Sequence, residues 1–404
     1  MKKIVLISVC SVLWSADLSA QSTCTLNGHQ YVDLGLPSGL LWATCNVGAD
    51  SPSDFGDYFA WGETTPKSSY TVENSLNSGK ILSDISGDSR YDAARANWGG
   101  DWRMPAKAEF QELLNHCVWT WAKQDEHEGY LVTSAKNGNS IFLPAGGLKS
   151  GNEHLLNRGG ALWTSTGAKV SSSGWNLRFV ESGFEMAYVG GSHGLSIRPV
   201  IGNMNTPNSI TEFSGPESKS GLYNCHVYVD LGLPSGLRWA AYNIGYDEDP
   251  HAYFSWGEIS TKTEYSEDTY QCNDITSPDI SGDLDHDPAR ALWGGDWRMP
   301  TQEDFDELRN HCVWTFMKKG RDYGYLVTSI KNGNSIFLPG VGYDDSNSHI
   351  TSHTLRDHSY GKYWCSTTKS SSSAVGLYLH QNRLRLGYPN KYVGCAVRPV
   401  YNPR

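Results

Sequence analysis

The stretch WGGDWRMP stands at 98–105 and again, unchanged, at 293–300. In an enzyme, Asp101 and Arg103 could form a charge pair in a cleft walled by Trp98 and Trp102. Glu63 and Glu258 each end a Trp-Gly-Glu triplet. They are the carboxylates a glycoside hydrolase would use if a second carboxylate stood at a set distance. Asp84 and Asp88, with Asp279 and Asp283, bound the repeated segment DISGD. Alternating carboxylates of this kind suit a hard cation such as calcium. The EF-hand register fails, however, because Gly87 and Gly282 precede the acid cluster. Asp92 and Asp287 fit better as N-caps for the short runs AARANW and PARALW. His116 and His311 precede Cys117 and Cys312, but adjacent helix positions point about 100° apart, which separates a thiol from its base. The chain has no G-x-S-x-G, H-E-x-x-H, P-loop or dinucleotide fingerprint.

The elements that would position these residues are written twice. YVDLGLPSGL recurs at 31–40 and 228–237, NHCVWT at 115–120 and 310–315, GYLVTS at 129–134 and 324–329, and KNGNSIFLP at 136–144 and 331–339. A period near 195 is too long for a solenoid unit and marks a duplicated globular domain. Each repeat opens with two short strands around a Pro-Ser-Gly turn. DYFAWGE (57–63) and AYFSWGE (252–258) read as a further strand. A helix follows WRMP, with Phe110, Leu113, Leu114 and Cys117 on one face and Phe305, Leu308 and Cys312 on its counterpart. Thr301 with Asp304 resembles a capping box. Two strands around Asn137-Gly138 or Asn332-Gly333 form a hairpin, and late strands around Trp163, Leu177 and Ile197 close the repeat. In this frame Gly99 and Gly100 turn the chain, Trp102 and Met104 enter the core, and Pro105 stands before a helix. The motif thus reads as scaffold. The fold class is α+β, with mainly antiparallel short strands and one or two helices per repeat.

Bulk properties set the boundaries. Residues 1–20 combine Lys2 and Lys3 with an apolar Ile4–Leu13 and a small-residue exit, the layout of a cleaved signal peptide. Val9 before Cys10 argues against a lipoprotein, and no later run is long enough for a transmembrane segment. The expected division is a signal at 1–20, a first domain at 21–200, a polar linker at 201–222 and a second domain at 223–404. A net charge of −10 with no basic run excludes nucleic acid as a partner. Eight of the nine cysteines follow the leader, none in a C-x-x-C pair, so zinc is disfavoured and disulfides are expected in an exported protein. On the apolar face Cys117 and Cys312 read as buried thiols or as disulfide halves, and the preferred pairings are Cys45 with Cys117 and Cys365 with Cys395.

The ordered motifs YVDLGLPSGLLWATCNVGA, DYFAWGET, WGGDWRMP…EFQELLNHCVWTW, NGNSIFLPAGG, LWTST and SIRPV resemble the Fibrobacter succinogenes major paralogous domain family. The resemblance covers nearly all of 29–200 and 226–400. It implies two tandem C-type-lectin-like domains in an exported bacterial protein, often from the Bacteroidota. The second repeat departs from the first: Tyr242 replaces Cys45, and Cys365 and Cys395 replace Thr164 and Leu195. Lectin-like folds commonly carry ligand contacts in the loop ahead of the late strands. There the repeats diverge, with AGGLKSGNEHLLNRGG against the longer GVGYDDSNSHITSHTLRDHSYGK. Asn152, Glu153, His154, Asp344, Asp345, Asn347 and His349 are therefore the candidate contacts, on loops that also read as tolerant surface. The expected function is non-catalytic binding of a glycan or another surface protein, in the periplasm, at the cell surface or secreted. The linker would add effective concentration when both domains engage one surface. A structural or adhesin subunit and a glycan hydrolase using Glu63 and Glu258 remain as alternatives.

Overall fold

The computed structural model describes residues 24–155, 158–168, 170, 172–202, 220–245, 252–319, 322–346 and 359–403. In the first repeat, β1 (Cys24–Leu26), β2 (His29–Asp33), β3 (Leu41–Ala43) and β12 (Val200–Ile201) form one small antiparallel sheet, the last strand returning from the repeat's end. Between them come α1 (Ala93–Trp98), α2 (Lys107–His116), the meander β4 (Cys117–Gln124), β5 (His127–Ser134) and β6 (Ser140–Pro144), and the hairpin β7 (Leu148–Ser150) with β8 (Glu153–Leu155). The long strands β9 (Gly159–Gly167), β10 (Ser173–Val180) and β11 (Gly183–Gly190) follow.

The second repeat follows the same order. β13 (Ser220–Tyr223), β14 (His226–Asp230), β15 (Arg238–Ala240) and β22 (Val400–Tyr401) make its small sheet. α3 (Pro288–Trp293) and α4 (Gln302–His311) precede β16 (Cys312–Lys319), β17 (Asp322–Ser329) and β18 (Ser335–Gly342), then β19 (Ser359–Thr368), β20 (Ala374–His380) and β21 (Arg383–Gly387). The fold is thus mainly antiparallel β-structure with four helices among the described residues.

Local chemistry explains these elements. The Thr301 hydroxyl accepts from the Asp304 N–H while the Asp304 carboxylate accepts from the Thr301 N–H, completing the expected capping box. Phe110, Leu113, Phe305 and Leu308 are fully buried, as the helical spacing requires. Asp92 and Asp287 cap α1 and α3. Two expectations fail. The DYFAWGE and AYFSWGE stretches are extended chain with single bridges, Phe59 to Leu195 and Phe254 to Cys395, because the backbone turns at Gly62 and Gly257. Cys117 and Cys312 do not lie on their helices: each helix stops at the preceding histidine, and each cysteine begins a strand.

The repeats do not behave as beads on a string. β11 pairs with β21, and nine strands run as one sheet, β16-β17-β18-β19-β20-β21-β11-β10-β9. Phe184 faces Leu384 at the centre of that pairing, so residues 200 apart are related across the seam. The backbone bonds match this symmetry, Met186 N–H donating to Asn382 and Leu386 N–H to Ser182. Gly183 permits the approach, since a Cβ there would strike the Leu384 carbonyl. One core continues through the seam, holding Trp119 and Phe184 together with Trp314 and Leu384. Each main helix also packs on the other repeat's outer strand, α2 on β16 and α4 on β4. Asn115 at the end of α2 accepts from the Thr315 hydroxyl and the Phe316 N–H, covering that strand edge. The stretch expected as a linker therefore begins inside β12 and ends inside β13; its residues 203–219 lie outside the described ones.

A shared core predicts one cooperative transition. Calorimetry of the whole chain should show a single endotherm, and Leu384→Ala should lower it by about 3 kcal/mol as a large-to-small core change; two resolved endotherms would contradict the shared core. A second expectation is local. The first repeat turns β1 into β2 through Asn27-Gly28, whereas the second uses Asn224-Cys225, with Cys225 held at φ +65°. Cys225→Gly should raise the urea midpoint, a gain of about 1 kcal/mol.

Candidate functional site

The repeated WGGDWRMP is consumed by packing. Trp98 ends α1 with its face stacked on His29, ring centroids 3.8 Å apart and planes 6° from parallel, and Trp293 stacks on His226 in the same way, at 3.8 Å and 5°. The Trp102 and Trp297 indoles donate to the Leu26 and Tyr223 carbonyls. Arg103 does not meet Asp101. Its guanidinium forks onto Glu109, with Nη1 2.7 Å from Oε2, and also donates to the Gly202 carbonyl. Arg298 pairs with Asp304 at 2.6 Å.

The candidate metal ligands are likewise occupied. Asp84 accepts from the Ser86 N–H and Asp279 from the Ser281 N–H, each closing its own turn. Asp88 takes the Arg90 guanidinium, which holds its carboxyl down to about 2, and Asp283 takes the Asp285 N–H and His286. Among the described residues, no group of three His, Cys, Asp or Glu side chains is placed to hold a metal ion. The organising carboxylates are the buried caps. Asp287 accepts from Gly282, Met299, Ala289 and Arg290 N–H groups, and Asp92 from Gly87, Met104 and Arg95. Burial pushes the Asp287 carboxyl up to about 6 against those donors. The DISGD loop is thus tied to the RMP segment by one side chain.

Glu63 and Glu258 are buried and matched to lysine. Glu63 meets Lys67 at 2.9 Å and the Leu76 N–H at 2.9 Å; Glu258 meets Lys262 at 2.8 Å and the Gln271 N–H at 2.9 Å. Each carboxylate is thus held by a lysine and a backbone N–H. The eight described cysteines are free thiols, and neither expected disulfide is made. Cys45 lies after β3 beside the Arg198 guanidinium, whereas Cys117 lines a void of about 10 Å³ at the seam together with Cys312. Cys365 of β19 joins the large core, whereas Cys395, bridged to Phe254, joins the smaller cluster around Trp256 and Trp364. Burial pushes the Cys117, Cys312 and Cys395 thiols up to about 12, far from nucleophilic use.

The loop candidates divide. Asn152 and Glu153 are exposed on the β7–β8 hairpin, and His154 Nε2 lies 2.9 Å from the Tyr58 hydroxyl. Asp344 bridges Gly394 through its backbone, and Asp345 is half-buried near Lys362. Asn347 and His349 lie outside the described residues.

An open groove of about 670 Å³ appears elsewhere, in the second repeat. Phe254 and Ile244 line its buried part, Tyr242, Trp293 and Leu292 its sides, and Ser260 and Thr261 its rim. Tyr242 is 41% exposed and Leu292 53% exposed. Aromatic faces beside hydroxyls can stack on and hydrogen-bond a polar ring. The sequence did hold a signal for this site: Tyr242 stands where the first repeat has Cys45. No family model, curated protein or solved structure matches this chain, so the family resemblance rests on the motifs quoted for it.

The cap network separates structural from surface acids. At pH 7 Asp287→Asn should cost about 2–3 kcal/mol, because its amide meets N–H donors with N–H groups of its own. Asp84→Asn and Asp279→Asn should stay within about 0.5 kcal/mol. Calcium at millimolar concentration should leave Tm unchanged; a rise abolished by either surface variant would restore the metal reading. Because burial raises the Asp287 carboxyl above its unfolded value, the folded state holds its proton more tightly. That residue's contribution is therefore greatest below about pH 4 and is lost as pH climbs through about 6.

Proposed function

We propose that the protein is an exported, non-catalytic binding protein that takes a glycan in the groove walled by Tyr242, Trp293 and Leu292. The observation that carries this reading is the groove itself: aromatic faces and a hydroxyl rim at a position where the two repeats differ. Among the described residues that line the groove there is no carboxylate, and Glu63 and Glu258 are engaged by lysine. Both facts favour binding over hydrolysis. The signal-like residues 1–20 support export, and no described helix is long and apolar enough to cross a membrane. The antiparallel sheets with two helices per repeat support reading each repeat as a C-type-lectin-like domain of the family it resembles. The continuous core means that two ligand sites on this chain would keep a fixed separation, in place of the tethered avidity expected of a flexible linker.

A glycan array followed by calorimetry on the best ligand tests the reading. Tyr242→Ala should weaken binding about tenfold or more while changing stability by under about 0.5 kcal/mol. Leu292→Arg should act in the same direction by blocking the side. Binding unaltered in both variants would remove the groove as the site, and release of shorter products would make the protein an enzyme.

A further inference from the structure

The outer face of the nine-stranded sheet carries side chains that neither the groove nor the loop networks use. Directly paired residues of antiparallel strands project from the same face. The register therefore sets Arg178, Glu185, Arg383, His380 and Tyr360 in one row across β10, β11, β21, β20 and β19. The adjacent row holds Val180, Gly183, Arg385, Tyr378 and Lys362. Alternate residues, such as Phe179, Phe184, Leu384 and Leu379, point the other way into the large core. At its ends this outer face is covered, Trp163 of β9 by the first repeat's loops and Trp364 of β19 by the second's. Between those covers the arginines, Glu185, Tyr378 and His380 stay half-exposed.

The charge on these rows runs against that of the chain. Four cationic side chains, Arg178, Arg383, Arg385 and Lys362, face one carboxylate, in a protein of net charge −10. Glu185 takes Arg383 at 2.8 Å and lies 3.9 Å from Arg178, too few oxygens for the donors present. The buried Nε atoms of Arg178 and Arg385 make no hydrogen bond among the described residues. Lys362 rests its ammonium 3.3 Å from the Tyr343 ring centroid and 5.2 Å from that of Tyr378. Burial keeps the Tyr360 and Tyr378 hydroxyls protonated, so both rings stay neutral.

We propose that this seam face binds an acidic glycan, its carboxylates or sulfates taken by Arg178, Arg383 and Arg385 and its rings lying against Tyr378 and Tyr360. A guanidinium fork matches such oxyanions bidentately, and an aromatic face accepts the C–H face of a sugar. The acidic remainder of the surface repels a polyanion and directs it to these rows. Both repeats contribute, so the site exists only where β11 and β21 are joined. It is separate from the groove of Tyr242.

The test is titration of the whole mature chain with an oligogalacturonate at about 20 mM salt, beside a neutral glucan oligosaccharide of equal length. Saturable binding of the oligogalacturonate should weaken about tenfold in Arg383→Gln/Arg385→Gln and fall steeply with added salt. Glu185→Gln, which removes the competing carboxylate, should tighten it several-fold, a gain that misfolding cannot imitate. Tyr242→Ala should leave it unchanged; loss there alone would assign the acidic glycan to the groove and overturn the seam site. No binding beyond the neutral control, or binding indifferent to both arginine and glutamate variants, would equally overturn it. Poly-glutamate binding as tightly as the oligogalacturonate would assign the face to an acidic protein instead.

Discussion

The pairing of β11 with β21 is the constraint on which the rest of this structure depends. Taken alone, each repeat would end its long sheet in an open strand and leave Trp119 or Trp314 at the border of its core. An unpaired edge invites association, and a half-covered tryptophan loses much of its burial. Joining the edges around Phe184 and Leu384 removes both liabilities together. Covering β16 with α2 and β4 with α4 removes two more. The duplication is therefore better described as an internal pseudo-dimer than as two modules on a tether.

That constraint explains why the most repeated residues are the least chemical. Asp92 and Asp287 each gather N–H groups from a loop, a helix start and the RMP segment. A buried carboxylate in that position tolerates no substitution that removes acceptors, whatever the ligand outside. The same holds for Arg198 and Arg398, which are fully buried and donate to the carbonyls of Ala43 and Thr44 or of Ala240 and Ala241. Two copies under one packing demand keep one answer, so identity between repeats marks scaffold.

Much of the frame was legible in the sequence because it obeys local rules. The helical spacing at Phe110 and Leu113, the capping box at Thr301, the caps at Asp92 and Asp287 and the hairpin around Asn137-Gly138 are each set within about ten residues. The features that were missed are non-local. Nothing near GFEMAYVG or RLRLG states that one strand will pair with the other some two hundred residues away. The cysteine pairings failed for a related reason, since burial of Cys365 and Cys395 says nothing about which core cluster each one joins. Glu63 reads only as a carboxylate in want of a second, and nothing in the spacing states that Lys67, four residues on, meets it.

The seam also shows how a symmetric scaffold acquires an asymmetric surface. With the repeats related by an offset of 200, Gly183 corresponds to Arg383, Glu185 to Arg385, Arg178 to Tyr378 and Val180 to His380. Had both repeats carried the first set, the centre of the face would hold glycines and opposed carboxylates. Had both carried the second, four arginines would crowd one another across the pair with no anion between them. The mixed pairing sets Glu185 against Arg383 and Gly183 beside Arg385, so charge is partly balanced and room is left over the strands. Core residues cannot diverge in this way, because each methyl group is felt on both sides of the seam. Outward-facing positions of the same strands can, and each substitution there alters the surface without disturbing the pairing beneath it. Recognition on such a fold is thus expected at outward positions next to a symmetric contact, where the frame is most rigid and the two repeats are least alike.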